Sequence, residues 1–530
     1  MQCYNGLMRL IIATAALLVS CTPKSNDDCA EGHVRSRDGH CDPIPSVDGP
    51  SSDDTDPVVD TGGDTPPSED TGAPVTVNRG DCSAATDESQ ASLELLGQLD
   101  TDDGLGPPPI LIEILDSDLS EDRFWAVGQG GLMSFDLSGT DPVLANVFTG
   151  PAGRFHRLLL VDDSTPLVYA THRDIGLVVV DRSDPSNLRS ITSRSMSGLG
   201  GMTLANDRLY TTRHDGSLLV FDVTARQTPT LLTTIEAPGH PWTVVGNGDT
   251  LYTADNTEGV GVFDRSDPDA PQYNKHVDIG SGAMDLAPTS EHLYVAAGSA
   301  GLIIMSTADP LNPVEVARVK TGSPLVDVSV SETTAWVVDH EAVWAVDVSD
   351  PTNPIVIGRR ETPRFAMTVT GNGSEAWVGD WTAVSGYRAH LDRAQSTLIA
   401  SPDTVRIPSG TDQAIVQLTN LGASDGRVLS WDASEDDATA TIIDTAIGPG
   451  STTDLIIDWP TDASNGLFCV RTNDPTAPEV QVLIQRSDND LSVDLGTPAP
   501  DFELTSLEGE TVRLSEQLGH PVLLVYFATW

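Results

Sequence analysis

The sequence predicts a mainly β protein whose central part repeats one structural unit seven times. An aromatic residue inside a short apolar run recurs with gaps of 44, 41, 42, 42, 42 and 41 residues, at Trp125, Tyr169, Tyr210, Tyr252, Tyr294, Trp336 and Trp377. A second apolar run follows and usually closes with Asp, as in residues 177–181 and 218–222. About 42 residues with four short strands is the size of one propeller blade. The repeats therefore predict a seven-bladed β-propeller over residues 90–396.

A closing strand is expected at the start of this region. Residues 92–100 read as the outer strand of a blade and match residues 313–317, but no strands of the same blade precede them. One blade cannot bury both faces, whereas seven can do so by stacking around an axis. We therefore expect residues 92–100 to complete the seventh blade. Close crossings between neighbouring blades are expected at the glycines near blade starts, which are Gly200, Gly201, Gly239 and Gly280.

The repeats resemble the LVIVD repeat family, a bacterial surface-protein repeat expected to form β-propellers, over roughly residues 90–396. The resemblance implies a fold and no activity. In a propeller, the loops between second and third strands share one face with the connections between blades. The candidate binding face comprises His156, His172, His214, His240 and His340, together with Trp242 and Trp381. A plainer interpretation places His172, His214 and His340 in polar hairpin turns.

Composition limits the partners of this chain. The 78 Asp and Glu residues against 29 Lys and Arg residues give a formal net charge of −49, which repels phosphate backbones. Nucleic acid is therefore not an expected partner. So much acid is typical of a soluble extracellular surface, with specific cation binding as the alternative. The length of 530 residues predicts several domains.

The first 20 residues read as a signal peptide. Arg9 precedes an apolar run over residues 10–19, which is too short to span a bilayer. The segment 18–21 that follows resembles the lipobox of bacterial lipoproteins, and the resemblance implies acylation of Cys21. Acyl chains on Cys21 would anchor the protein to a membrane of the cell envelope, on a side that the sequence leaves open. An ordinary secretory signal with a chance cysteine is the alternative.

Residues 21–89 are predicted to hold a small loop and an extended stalk. Cys29 and Cys41 are close enough to form a disulfide in an oxidising compartment, with a zinc site as the alternative, and the pairing of Cys82 with Cys469 stays open. Residues 42–75 contain nine carboxylates, seven prolines and no Lys or Arg. Such a segment cannot offset its ordering entropy by burial, so we expect a disordered spacer. A calcium-binding loop is the alternative, but the required Asp-x-Asp-x-Asp-Gly pattern is missing from this stretch.

Residues 397–488 are predicted to form an immunoglobulin-like β-sandwich. Alternating apolar residues recur in the runs 413–419, 453–459, 467–471 and 480–485. Residues 420–422 and 471–475 resemble the Ig-like domains of abnormal-spindle and hydin proteins. The expected role is a spacer or a partner-binding module.

The last segment, residues 489–530, carries the one enzymatic signal. The segment containing Gly496, Pro500, Asp501 and Phe502, and the run that ends at Trp530, resemble the opening of the redoxin and AhpC/TSA branch of the thioredoxin superfamily. The resemblance implies an incomplete α/β domain whose catalytic nucleophile follows directly after Trp530. The chain as given would then be inactive. The stop is explained either by a UGA codon that encodes selenocysteine but is read as a stop, or by a sequencing break or a decayed gene.

Two functions follow from these patterns. The first is an envelope-anchored thiol or selenol oxidoreductase, or peroxidase, carried on a propeller scaffold. The second is a non-enzymatic surface lipoprotein that binds an envelope protein or surface ligand through the propeller face and the Ig-like module. No cofactor and no metal site is predicted for either.

Overall fold

The protein is described by a computed structural model that covers residues 33–35, 41–43, 79–80, 82, 89–100, 113–150, 154–162, 166–393, 395–408, 411–461, 463, 465–487, 503–505 and 511–513. The chain divides into two compact units, residues 71–489 and residues 1–70 with 490–530. In the second of these units, β1 (His33–Arg35) and β2 (Cys41–Pro43) form an antiparallel pair.

Several predicted features lie outside the described residues. These are the signal peptide, Cys21, Cys29, most of the stalk, Gly496, Pro500, Asp501, Phe502 and Trp530, while Cys41 is described by its backbone alone. The lipid anchor, the Cys29–Cys41 disulfide and the thioredoxin-like domain therefore stay predictions.

The described part of the chain is nearly all β, and its repeated four-stranded antiparallel sheets resemble a propeller. The strands are β3 (Leu93–Asp100), β4 (Ile114–Ser120), β5 (Arg123–Gly128), β6 (Gly131–Asp136), β7 (Val143–Phe148), β8 (Phe155–Asp162), β9 (Pro166–His172), β10 (Gly176–Asp181), β11 (Arg189–Ser195), β12 (Leu199–Ala205), β13 (Arg208–Arg213), β14 (Ser217–Asp222), β15 (Thr230–Glu236), β16 (Pro241–Asn247), β17 (Thr250–Asp255), β18 (Gly259–Asp264), β19 (Gln272–Val277), β20 (Asp285–Pro288), β21 (His292–Ala296), β22 (Leu302–Ser306), β23 (Val314–Val319), β24 (Leu325–Ser331), β25 (Thr334–Asp339), β26 (Ala342–Asp347), β27 (Ile355–Glu361), β28 (Ala366–Asn372), β29 (Glu375–Asp380) and β30 (Ala383–Ala389). A 3-10 helix, Leu391–Arg393, follows β30.

Seven sheets arise from these strands. Sheets 1 to 6 are β4–β7, β8–β11, β12–β15, β16–β19, β20–β23 and β24–β27, and sheet 7 is β28–β30 with β3. Strand β3 pairs with β30 from Leu93 opposite Ala389 to Asp100 opposite Ala383. The prediction that this early segment completes the last sheet is therefore confirmed for residues 93–100.

The first strands of the sheets contact one another in a closed cycle, in the order β4, β8, β12, β16, β20, β24 and β28, with β28 touching β4 again. The free edge of each first strand would leave backbone N–H groups unsatisfied. Side chains of the preceding sheet accept several of these hydrogen bonds. The pairs, each 42 residues apart, are Asp116 with Leu158 N (2.8 Å), Asp327 with Val369 N (2.7 Å), Ser329 with Gly371 N (3.0 Å) and Ser331 with Gly373 N (2.7 Å).

The repeated aromatic residue also links one sheet to the next. The hydroxyls of Tyr210 and Tyr252 donate to the carbonyls of Pro268 and Pro310, each at 2.8 Å and 58 residues further along the chain. Both prolines lie in the Asp-Pro turns after the third strand of the neighbouring sheet. The aromatic residue and the turn of the repeat are therefore partners across sheets, which explains why both recur with one period.

Residues 398–487 form two sheets that pack face to face. The strands are β31 (Leu398–Ser401), β32 (Thr404–Pro408), β33 (Gln413–Asn420), β34 (Gly426–Ala433), β35 (Thr439–Ile442), β36 (Ala446–Ile447), β37 (Thr452–Asp458), β38 (Gly466–Thr472) and β39 (Glu479–Ser487). One sheet has the order β31-β33-β37-β35 and the other β32-β39-β38-β34-β36. Strand β33 alternates exposed and buried residues, so its inward face joins a core with Trp459 and Phe468. We call this part the sandwich.

Asn420 explains the Asn-Leu-Gly motif of the sandwich. Its side chain is fully buried, and its Oδ1 accepts hydrogen bonds from the backbone N–H groups of Thr397 (3.1 Å) and Gly422 (3.0 Å). Its Nδ2 donates to the carbonyls of Ser424 and Ile447, each at 2.8 Å. The amide thereby satisfies four backbone groups at the edge of the core.

A disulfide between Cys82 and Cys469 settles the pairing that the sequence left open. It joins residues 387 positions apart and fixes the segment before β3 to the sandwich. Arg79 reinforces this attachment, because its Nε donates to Asp432 Oδ1 at 2.8 Å and its guanidinium lies over the ring of Trp431.

The smaller unit contains one more described hairpin, β40 (Glu503–Thr505) with β41 (Thr511–Arg513). Within the described ranges, the structure contains no helix of the length and apolar character needed to traverse a bilayer.

Candidate functional site

Buried aspartates end the second strand in three of the sheets and shape the turns of the candidate face. In Asp255, Asp339 and Asp380, the Oδ1 atom accepts hydrogen bonds from backbone N–H groups two and three residues further on. The Oδ2 atoms of Asp255 and Asp380 accept from the incoming connections, at His240 N and Arg364 N. These aspartates hold the turns and connections of this face in place.

His172 occupies the same position at the end of the second strand of sheet 2. Its Nδ1 accepts hydrogen bonds from the backbone N–H groups of Asp174 (3.1 Å) and Ile175 (3.2 Å). Its ring is buried and meets the ring of Phe155 edge to face, with centroids 5.0 Å apart. His172 therefore has the structural role of the capping aspartates, and the plainer interpretation of this histidine is the one that its contacts support.

This role predicts the effect of substitution at position 172. His172→Ala is expected to lower the free energy of unfolding by about 1–3 kcal/mol, because two partly buried backbone hydrogen bonds lose their acceptor. His172→Asp restores the acceptor found in the equivalent turns and should therefore lose less stability than His172→Ala. Urea denaturation of both variants checks this; an aspartate variant that is no more stable than the alanine variant contradicts it.

His214 and Trp242 form a stacked pair on the candidate face. Their ring centroids lie 4.9 Å apart with an interplanar angle of 4°, and Trp242 is 37% exposed. The close approach of sheets 3 and 4 depends on Gly201, where an added Cβ would lie 2.0 Å from Thr243 Oγ1. Thr212 Oγ1 also donates to the carbonyl of Trp242 at 3.2 Å. An aromatic side chain is thus held in a fixed orientation with an open face.

His156 and His240 lie near this pair. Burial, followed by the neighbouring charges of Arg157 and Arg173, lowers the pKa of His156 to about 4. Burial and Arg157 also lower the pKa of His214, and His240 contributes in the same direction. The His156 and His214 imidazoles are therefore neutral at neutral pH. We call His156, His214, His240 and Trp242 the His–Trp surface.

His340 lies apart from these four residues in an aromatic group of its own. Its ring centroid is 5.6 Å from that of Phe365, which in turn is 5.2 Å from that of Trp381. Phe365 is 50% exposed. The sequence therefore grouped five histidines that the structure divides: His172 caps a turn, three form the His–Trp surface, and His340 belongs to the Phe365 group.

Sequence reasoning missed a group of charged side chains on the first strands. Asp116, Arg157, Asp285 and Asp327 come from sheets 1, 2, 5 and 6 and act on one another electrostatically. We call these four residues the axial cluster, since the strands that carry them surround the centre of the cycle. A recurring apolar-x-Asp pattern at 114–116, 283–285 and 325–327 was the available signal.

Burial favours the protonated form of two carboxyl groups in the axial cluster. Burial, partly offset by Arg157, raises the pKa of Asp116 to about 7. Burial and the hydrogen-bonded neighbour Asp327 raise the pKa of Asp285 well above its ordinary range. Arg157 Nη1 lies 3.6 Å from Asp116 Oδ1 and donates to the carbonyl of Leu115 at 3.3 Å. Burial and the neighbouring Asp327 thus favour the protonated form of the Asp285 carboxyl group.

The residues of the His–Trp surface can bind a ligand. Within the part of the chain that the structure describes, no group of three or more His, Cys, Asp or Glu residues has the arrangement to hold a metal ion. The His–Trp surface offers an open aromatic face and neutral imidazoles. Such groups orient a ligand by stacking and hydrogen bonding.

Repeated four-stranded sheets whose first strands contact in a cycle place this chain among proteins with a β-propeller-like fold. LVIVD repeats are present at residues 168–193, 280–321 and 326–362, which fall in sheets 2, 5 and 6.

Among solved structures, a Lactobacillus plantarum protein is similar at 15% identity and a TM-score of 0.44, over 48% of this chain and 86% of its own. The WD40 domain of Neurospora crassa Pan2 is similar at 14% identity and a TM-score of 0.44, over 58% of this chain and 98% of its own. No curated protein matches the sequence.

Proposed function

We propose that this chain is a lipid-anchored scaffold protein of the cell envelope that binds a partner through the His–Trp surface. The observation that carries the proposal is the stacked pair of His214 and Trp242, which leaves a large aromatic ring 37% exposed on a rigid support. Exposed aromatic rings of this kind are common anchors in binding interfaces.

The proposal includes a seven-bladed propeller and an immunoglobulin-like sandwich. Seven sheets, the closed cycle of their first strands and the pairing of β3 with β30 support the propeller. Two facing sheets with one shared core support the immunoglobulin-like domain. The signal-like segment and Cys21 support export and lipid anchoring.

The partner is expected to be an envelope protein or surface ligand that presents a flat apolar group. The flat group would cover Trp242, whose ring is 37% exposed. The neutral imidazoles of His156 and His214 beside this ring would offer hydrogen bonds that orient the partner.

Site-specific photo-crosslinking tests the proposal. We expect a benzophenone amino acid at position 242 of the full-length protein to crosslink one discrete partner in intact cells. The same amino acid at position 249, in the turn at the opposite end of sheet 4, is the matched control and should give no such product. Equal products from both positions, or none from position 242, would contradict the proposal.

The redoxin resemblance of residues 496–530 favours a second candidate function. In this alternative, the scaffold carries a thiol or selenol oxidoreductase or peroxidase domain whose nucleophile follows Trp530. An insulin-reduction or peroxide assay on the full-length gene product tests it, together with the DNA sequence after codon 530. Turnover supports the oxidoreductase, whereas a full-length product without turnover leaves the binding function.

A further inference from the structure

A cleft lies between the repeated sheets and the sandwich. Two adjoining hollows of about 650 and 280 Å³ share the lining residues Ser323, Glu341, Glu361, Asp403 and Gln481. The first three come from the loops and strand end of sheet 6, and the last two come from the sandwich. We call this space the interdomain cleft. Its volume is in the range of pockets that hold ligands.

Carboxylates outnumber guanidinium groups in the interdomain cleft. The acidic lining residues are Glu341, Glu361, Asp403 and Glu479, and the basic ones are Arg359 and Arg364. Arg359 lies 3.7 Å from Glu341 and 3.4 Å from Glu361, so one cation faces two anions. Glu361 is still largely exposed, with 75% of its side chain accessible. The cleft therefore keeps an excess of negative charge.

The position of Arg359 shows that this charge distribution is built into the fold. Its guanidinium lies over the ring of Trp344, 5.6 Å from the centroid, and its side chain is mostly buried. Burial and the nearby Asp339 raise the pKa of Glu341, and Asp403 and Glu361 add to the effect, with Arg359 opposing it. Arg359 alone does not neutralise the carboxylates around it.

An aromatic wall completes the interdomain cleft. Phe365 lines the larger hollow and is half exposed between His340 and Trp381. Lysine and arginine combine an apolar stem with a cationic end, so they pack on aromatic faces while the charge meets a carboxylate. The half-exposed ring and the excess of carboxylates together provide the two contacts that a lysine or arginine side chain needs.

We propose that the interdomain cleft binds a lysine- or arginine-rich segment of a partner protein, with Phe365 contacting the stems and Glu361 and Asp403 pairing with the charges. Charge complementarity selects this occupant, and a hollow of about 650 Å³ is larger than one side chain needs. The proposal is independent of the His–Trp surface, which lies on other sheets and has neighbouring cations.

Fluorescence anisotropy with a defined peptide tests this assignment. The probe is a labelled Ala-Lys-Ala-Lys-Ala-Lys peptide, and its twin with acetylated lysines is the ligand control. At physiological salt we expect saturable binding of the first peptide only. Phe365→Ala, and separately Glu361→Gln combined with Asp403→Asn, should each weaken binding by roughly tenfold.

A matched variant separates this site from general attraction to an acidic protein. Glu236 ends the fourth strand of sheet 3 as Glu361 ends that of sheet 6, so Glu236→Gln removes the same charge at the same repeat position. Glu236→Gln and Trp242→Ala should leave peptide binding within about twofold of the parent protein. Because Phe365 and Glu361 are exposed, the melting curves of the variants at these two positions should match that of the parent protein.

Three results would overturn the assignment. One is that Glu236→Gln weakens peptide binding as much as the cleft substitutions do, since the effect would then depend on net charge alone. Another is equal binding of the acetylated peptide or absence of saturable binding. The third is self-association that depends on Phe365 without peptide binding, seen by sedimentation, which would assign the cleft to a second copy of the chain.

Discussion

Deletion of β3 is expected to destabilise the repeated sheets more than any single substitution. The deletion removes a full strand ladder beside β30 and the fully buried side chain of Leu93. Truncation of a buried leucine alone costs about 3 kcal/mol, and the exposed edge of β30 adds unpaired backbone groups. Urea denaturation followed by tryptophan fluorescence should show that the free energy of unfolding falls by several kcal/mol, on the order of 5, or that cooperative unfolding is lost.

Complementation in trans supplies the control for this deletion. A synthetic peptide of residues 91–100 should restore cooperative unfolding when added in excess, whereas the same peptide with Leu93→Asp should not. Leu391→Ala, at an exposed position, should leave the parent stability unchanged. A deletion protein that unfolds like the parent would show that β3 does not secure the ring.

Asp116→Asn is expected to make stability less dependent on pH. The pKa of Asp116 rises from 3.8 to about 7 on folding, so the native state holds this proton more tightly than the unfolded state does. The resulting stabilisation is complete below about pH 4 and is lost as pH rises through about 7. At 1.36 kcal/mol for each unit of pKa, the loss approaches about 4 kcal/mol.

Urea denaturation at pH 5 and pH 8 measures this effect. Relative to the parent, Asp116→Asn should gain about 2–3 kcal/mol between the two values, because the asparagine oxygen can still accept from Leu158 N and carries no charge. Asp249→Asn, in an exposed turn, is the control. A parallel pH dependence of the Asp116 variant and the parent would contradict the buried position of this carboxyl group.

The repeated sheets could be predicted from the sequence, because their period is the number of residues that one sheet requires. Four short strands and their turns take about 42 residues, and the Tyr210 and Tyr252 hydroxyls each contact the Asp-Pro turn of the next sheet. The closing strand was predictable for a similar reason, since residues 92–100 had an outer-strand pattern and lacked a sheet.

The sequence analysis missed the axial cluster, because an irregularity in β4 and in β24 changes which residues face the centre. In β4, Ile114 pairs with Gly128 but Asp116 pairs with Val127, so one extra residue shifts the register. A shift of one residue turns each following side chain to the other face of the strand. Sequence alternation alone therefore assigns these positions to the wrong side.

The roles of two histidines also depend on a difference of one residue in their position along the strand. His172 is the last residue of β9 and points inward to cap its turn, whereas His214 comes one residue after the end of β13 and stacks on Trp242. Both read as turn histidines in the sequence. The pairing of Cys82 with Cys469 was equally hidden, because it depends on the path of a chain segment 387 residues away.

The Cys82–Cys469 disulfide determines how the folded part responds to tension. A pull on any part of the chain before residue 82 reaches a covalent bond to the sandwich before it reaches β3. The load passes into the sandwich, and the hydrogen bonds between β3 and β30 are not stretched. A tether at the amino end can therefore be strained by moving surfaces while the pairing of β3 with β30 carries no load.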